Sequence, residues 1–262
     1  MNSILTIVRS AARVGLVILL TAVAAQADEI KVMSSGAFAA ALKELSPAFE
    51  RASGSTLLVV SGGSVAGATD SIPDRLARGE RADVLIMAAS GIDDLTKAGR
   101  VVAGSRVDLA RSGIGVAVRK GAARPDISTV DALRRALLQA ASVAYSSSVS
   151  GVYVSTELFQ QLGIAAPMRT KGRKVENEPV AAVVARGEAE IGFQQISELR
   201  PVAGVEVVGP LPPAVQRVTV FSAATAAGSP NPAGGRALIT FLASPAASAA
   251  IARSGMDPIG AR

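Results

Sequence analysis

Three short apolar runs in this chain each end in a serine- or glycine-rich turn and then pass into a segment of helical periodicity. Residues 29–33 lead into Ser34-Ser35-Gly36, residues 57–60 into Ser61-Gly62-Gly63-Ser64, and residues 142–145 into Ser146-Ser147-Ser148-Val149-Ser150-Gly151. Alternation of this kind specifies parallel strands, because a parallel pair needs a long crossover, ordinarily a helix, to bring the chain back to the same end of the sheet. In residues 37–51, Leu42, Leu45 and Phe49 share one helical side against Lys43, Glu44 and Glu50, the stripe of a helix laid on a sheet. The run 57–60 reads as a buried strand, and the stretch after Ser64 reads as a helix ending near Arg78-Gly79. Residues 83–87 make a third strand.

Two stretches break this rhythm. A strand over 112–118 meets Lys120-Gly121 and Pro125 instead of a helix, and 217–222 is a strand standing alone. Between them a second series predicts helices over 129–140, 151–162 and 177–186, with strands at 142–145, 191–194 and 205–208; helices over 234–242 and 245–252 close the chain. The expected fold is α/β and two-lobed, each lobe a mainly parallel sheet flanked by helices, with two crossover strands near 110–116 and 217–224 as the hinge. Lobe one takes residues 28–110 and 223–262, and lobe two takes 111–222.

Residues 1–27 read as an export leader. Arg9 and Arg13 precede the apolar run Val14–Ala25, which ends in Ala25-Gln26-Ala27, the small-residue pattern of a cleavage site. The run falls short of the ~20 apolar residues of a membrane span and meets Asp28-Glu29 at once, which disfavours the other reading, a retained anchor. Without the leader the chain carries 25 basic and 21 acidic residues, net +4, with no clustered stripe. Aromatic residues make up 3% and Trp is absent, so the stacking platforms of nucleic-acid binders are not available. Cys and His are both absent. That excludes disulfides, Cys/His metal sites, Ser-His-Asp triads and thiol nucleophiles, and neither a metal nor a cofactor is expected.

The strand-end loops suit an anion. A helix begins with N–H groups that lack partners, and its dipole places ~+0.5 charge there, while glycine lets the backbone approach a ligand closely. Ligands of open parallel sheets bind at the carboxyl ends of the strands. Candidate contacts are therefore Ser34, Ser35 and Gly36 after the first strand, Ser61, Gly62 and Ser64 after the second, and Ser148, Ser150 and Gly151 in the other lobe. The pair Gln194-Gln195 ends a strand where it would face the cleft. Glu176 and Glu178 precede a helix, with Pro179 at a plausible first helical position. Arg75, Arg78 and Arg81, and the group Arg169, Lys171, Arg173 and Lys174, read as solvated faces.

From Glu29 onward the chain resembles the molybdate-binding receptors of ABC importers, a branch of the type II periplasmic binding proteins. The resemblance rests on residues 30–38 (IKVMSSGAF), 82–86 (ADVLI), 150–153 (SGVY) with Leu162-Gly163 after it, and 187–193 (GEAEIGF). It implies a periplasmic protein holding a small anion between its lobes; a monomer is the default expectation. By this resemblance two oxyanion donors of such receptors, a Ser after the first strand and a Tyr late in lobe two, fall on Ala37 and Gln195, which makes a tetrahedral oxyanion doubtful. The chain is also similar to the exported aconitate isomerases of the same family. That branch implies an enzyme moving a proton along the allylic unit of trans- or cis-aconitate. Without His, its base is a carboxylate, a desolvated Lys, or an assisted Tyr or Ser; Tyr153, Glu178 and Lys171 are the candidates. The alternative is the substrate-binding receptor of an ABC permease, for molybdate or another small anion.

Overall fold

The computed structural model describes residues 28–260, so the expected leader lies outside the described residues. The first α/β series is β1 (Glu29–Ser34), α1 (Gly36–Ser53), β2 (Thr56–Ser61), α2 (Ile72–Ala77), β3 (Val84–Ala88) and α3 (Ala89–Lys97). The long strand β4 (Val107–Arg119) leads to α4 (Val130–Gln139) and β5 (Val143–Ser146). A helical run over 149–161 follows, made of α5 (Val149–Tyr153), a π-helical turn at Val154–Leu158 and α6 (Phe159–Gln161). Next come α7 (Ala165–Lys171), β6 (Gly172–Val175), α8 (Val180–Ala185), β7 (Ile191–Gln195), α9 (Ile196–Leu199) and β8 (Val205–Pro210). The chain returns through β9 (Val218–Thr225) to α10 (Pro232–Leu242), α11 (Pro245–Arg253) and the short β10 (Asp257–Pro258).

The strands lie in the order β2-β1-β3-β9-β4-β7-β5-β6, with β8 and β10 also paired to β4. β1 pairs in parallel with β2 and β3, and β5 in parallel with β6 and β7. β4 and β9 run antiparallel to each other and to the neighbours they join. The first half of β4 pairs with β9 and the second half with β7 and β8, so one strand belongs to both sheets. Each side has its own apolar core. Phe38, Leu42, Leu45 and Phe49 of α1 pack on Ile30, Val32, Val84 and Ile86, while Leu133, Leu137, Leu158 and Phe159 pack on Ile114, Val116, Val143 and Phe193. Two sheets with separate cores form the two lobes of a mixed α/β fold.

Several elements depart from the sequence expectation. Residues 57–60 are not a buried strand: β2 is the sheet edge, with Leu58 43% and Val59 42% exposed. An apolar run is compatible with either place, since periodicity does not report neighbours. No helix opens at Ser64; the segment stays irregular through Gly67, whose φ is +105°, and α2 starts only where the Ser71 side chain accepts from Asp74 N–H. The third lobe-two helix begins at Val180, not at 177, and Pro179 is its extended N-cap (ψ 136°) instead of its first helical residue. The residue before a proline is disfavoured in helical conformation, and Asn177 turns the chain at φ 62°. α3, α7, β6 and α9 were not expected: α7 and α9 are short, β6 is an edge strand with two exposed basic residues, and α3 opens after Ala88 with no capping side chain to mark its start.

Candidate active site

The carboxyl ends of β1, β2, β5, β6 and β7 converge on one cavity of about 220 Å³ between the lobes. It is small beside the ~300–1,000 Å³ that hold drug-sized ligands. Ser35, Gly36 and Ala37 line it from the start of α1, Ser61, Gly62 and Gly63 from the end of β2, and Ser146 to Ser150 from the end of β5. Gln194, Gln195 and Glu198 come from the end of β7 and from α9, with Phe221 contributed by β9. The lining contains no Lys, Arg or Tyr. Its charged residues are three acids: Asp70, Glu178 and Glu198.

The serines at the two helix starts are not spent on capping. A serine at an N-cap ordinarily accepts from an N–H two or three residues on, as Ser71, Thr129 and Asn231 do in this fold with their own side chains. Ser35 and Ser148 occupy the same position in extended conformation, and neither makes that bond. Ser35 is 3% exposed, and its hydroxyl has no partner. A buried hydroxyl without a partner costs about 1–3 kcal/mol, and at the rim of a polar cavity a ligand is the group that would satisfy it.

Ser34 and Ser64 lie beneath this surface, outside the lining. Ser34 Oγ donates to the Ser35 carbonyl (3.1 Å) and Ser64 Oγ accepts from Ala88 N–H (3.2 Å); both hold strand ends in place. Ser150 Oγ stands 3.2 Å from Ser146 Oγ. Gly151 is structural too, since a Cβ there would overlap the Ser146 carbonyl.

The two glutamines divide their work. In the orientation that satisfies all its groups, the Gln195 amide nitrogen donates to Ser112 Oγ (3.0 Å) and to the Ser112 and Gly113 carbonyls (both 3.2 Å), and its oxygen accepts from Thr219 Oγ1 (3.1 Å). It ties β7 to both long strands, β4 and β9. Gln194 Oε1 accepts from Ala181 N–H at the start of α8 (3.4 Å), while its side chain and the Gln195 backbone N–H favour the charged form of the Glu198 carboxyl.

Glu198 is the residue that sequence reasoning missed. It stands on α9, three residues beyond the end of β7, with its carboxyl against the first turn of α1: a Cβ on Gly36 would come within 2.5 Å of its Oε1. The absence of a side chain at Gly36 is what lets the acid approach. Among the described residues no cation pairs with Glu198. Burial pushes its carboxyl up to about 7, and Gln194 and Gln195 pull the other way. The signal in the sequence was an acid just past a strand's carboxyl end, the place where sheet ligands bind.

The three bases expected from the sequence are placed elsewhere or engaged. Tyr153 does not line the cavity; its hydroxyl donates to the Val215 carbonyl (2.7 Å), and Arg217 stacks 4.7 Å over its ring. Burial raises the phenol above its ordinary value, the wrong direction for a base. Lys171 is also outside the lining, with Nζ donating to the Leu138 carbonyl (2.5 Å). Glu178 does reach the cavity, but it is exposed and both its oxygens accept from Arg186 (2.9 and 3.1 Å).

Residues 30–257 match the family of bacterial extracellular solute-binding proteins. The chain belongs to that family. It is 45% identical over 233 residues to an aconitate isomerase from Pseudomonas sp., covering 89% of each chain. In structure it is similar to the periplasmic molybdate-binding protein of Azotobacter vinelandii (TM-score 0.70, 20% identity, 87% of this chain and 98% of that one). It is also similar to the sulfate-binding protein SubI of Mycobacterium tuberculosis (TM-score 0.67, 17% identity, 88% and 87%). These likenesses place the fold among the type II periplasmic binding proteins.

Proposed function

We propose that this protein is an exported aconitate isomerase, moving a double bond between the trans and cis forms of a small tricarboxylate. The observation that carries the reading is the 45% identity to an aconitate isomerase over nine-tenths of both chains. The cavity supports it in three ways. Uncapped serines and free helix starts can receive carboxylates without a lysine or arginine. The small volume suits a compact polyacid. An allylic shift needs one group that takes up and releases a proton near neutral pH, and negative charge that spreads onto a carboxylate needs preorganised donors beside it. We assign the substrate contacts to Ser35, Gly36, Ala37, Ser61, Gly62, Ser148 and Ser150.

The second reading, a receptor delivering a small anion to an ABC permease, draws on the likeness to molybdate- and sulfate-binding proteins. Against molybdate stand Ala37 and a Gln195 amide engaged by the two long strands. In either reading residues 1–27 direct export to the periplasm, the mature protein acts as a monomer, and the lobes, 28–110 with 223–262 and 111–222, close on the ligand about β4 and β9. Incubating the mature protein with trans-aconitate and following the vinylic and methylene protons by NMR should show approach to a mixture with cis-aconitate. Absence of conversion at high protein concentration, together with tight calorimetric binding of molybdate or sulfate, would decide for the receptor.

A further inference from the structure

Resting on the isomerase reading above, we propose that Glu198 is the catalytic residue that carries the migrating proton from one end of the substrate's allylic unit to the other. The cavity itself narrows the choice. No Lys, Arg or Tyr lines it, and the chain has no His or Cys, so the lining serines have no such neighbour to activate them; the groups that can accept a proton from carbon unaided are three carboxylates. Glu178 is exposed and held by the two terminal guanidinium nitrogens of Arg186. Asp70 stands on the irregular segment ahead of α2. Glu198 alone meets the start of α1, where the loop serines converge, and it carries no counter-ion that would fix it as a spectator.

The step balances without a co-reactant. One oxygen of the Glu198 carboxylate takes a proton from the substrate methylene; that C–H bond breaks and an O–H bond forms. The electron pair delocalises over the three-carbon unit and onto the terminal carboxylate conjugated with it. Glu198 then returns the proton to the former vinylic carbon, forming the new C–H bond as its own O–H bond breaks, and the double bond has moved one position. The start of α1 at Gly36 lies against the acid and Ser35 lines the same cavity, where the helix start and the hydroxyl can hold a carboxylate as its charge grows. The groups facing Glu198 are Gly36 and the α1 terminus, the Gln194 amide and the Gln195 N–H; the other acids of the cavity are Asp70 and Glu178. An acid held near 7 in this setting is matched to both halves of the transfer.

The test compares wild type, E198Q, E198D, D70N and E178Q with trans-aconitate, by initial rates across pH and by ligand-induced thermal shift. Positioned acid–base groups contribute ~10²–10⁴-fold, so E198Q should lose that much in kcat while its thermal shift with substrate persists. Wild-type kcat/KM should rise with pH through about 7, and E198D should keep partial activity with a displaced inflection. If E198Q fails to fold, the E198D profile decides: an inflection unmoved from wild type overturns the proposal. So does an E198Q of wild-type kcat, or D70N or E178Q abolishing turnover while E198Q retains it. A wild type without turnover overturns the isomerase reading itself, and the proposal falls with it.

Discussion

Ser35 and Glu198 are both polar groups held in ways that cost the empty protein stability, and each yields a prediction of opposite sign for folding and for function. The Ser35 hydroxyl is buried and unpartnered and does not cap α1. Ser35→Ala should therefore leave the ligand-free protein as stable as wild type or more so, by up to about 1 kcal/mol, because the desolvated hydroxyl is gone. The same change removes a donor to a charged ligand, worth about 1.5–3 kcal/mol, and should raise KM for aconitate roughly ten- to a hundredfold. Urea denaturation and steady-state kinetics on one preparation check both. For Glu198 the folded value of about 7 lies above the ordinary 4.5. Between those values the native state holds a proton that the unfolded chain has lost, so stability falls as pH rises through this window and stays lower above it. Glu198→Gln cannot ionise and escapes that loss. It should exceed wild type by about 1–3 kcal/mol at pH 8 and converge with it near pH 4.5.

At the scale of elements, the strand-end turns do the positioning, and glycine makes them tight enough. Gly151 sits where a Cβ would overlap the Ser146 carbonyl, so Gly151→Ala must open the β5–α5 turn. A loss of at least 2 kcal/mol in urea is expected, and Ser148 and Ser150 move with the turn. This turn was legible in the sequence because its cause is local: a β-type run, serines, a glycine and then helical period. The β1–α1 turn was legible for the same reason, whereas the helix capped by Asn231 opens at Pro232, two residues before the expected 234. What was not legible depends on contacts far along the chain. The four-residue α9 has no period to read, so nothing in the local pattern singles out Glu198. Tyr153 and Lys171 read as plausible bases because sequence cannot tell which way a helix faces, and the fold turns their polar ends to the Val215 and Leu138 carbonyls. The edge position of β2 is likewise set by which strand lacks a second neighbour, not by Leu57 to Val60 themselves.

Across the whole molecule, β4 and β9 are the only strands among the described residues that pair with each other and also reach strands of the parallel series, and Gln195 bonds to both. Two crossing strands let the lobes rotate without unfolding, and a ligand that bridges the helix starts of both lobes stabilises the closed arrangement. Enzyme and receptor use this closure differently. A receptor keeps its ligand until it meets its permease, whereas an isomerase must release product on every cycle, so its affinity has to be modest. A ligand that binds only the folded state stabilises by RT ln(1 + [L]/Kd), about 2.7 kcal/mol at a hundredfold excess over Kd. For a chain of this length that corresponds to roughly 5–10 °C in Tm. With aconitate the shift should be negligible at ligand equimolar to micromolar protein and grow with the logarithm of concentration through the millimolar range. A full shift at equimolar ligand would mean a holding site, and the receptor reading would then explain the closure better.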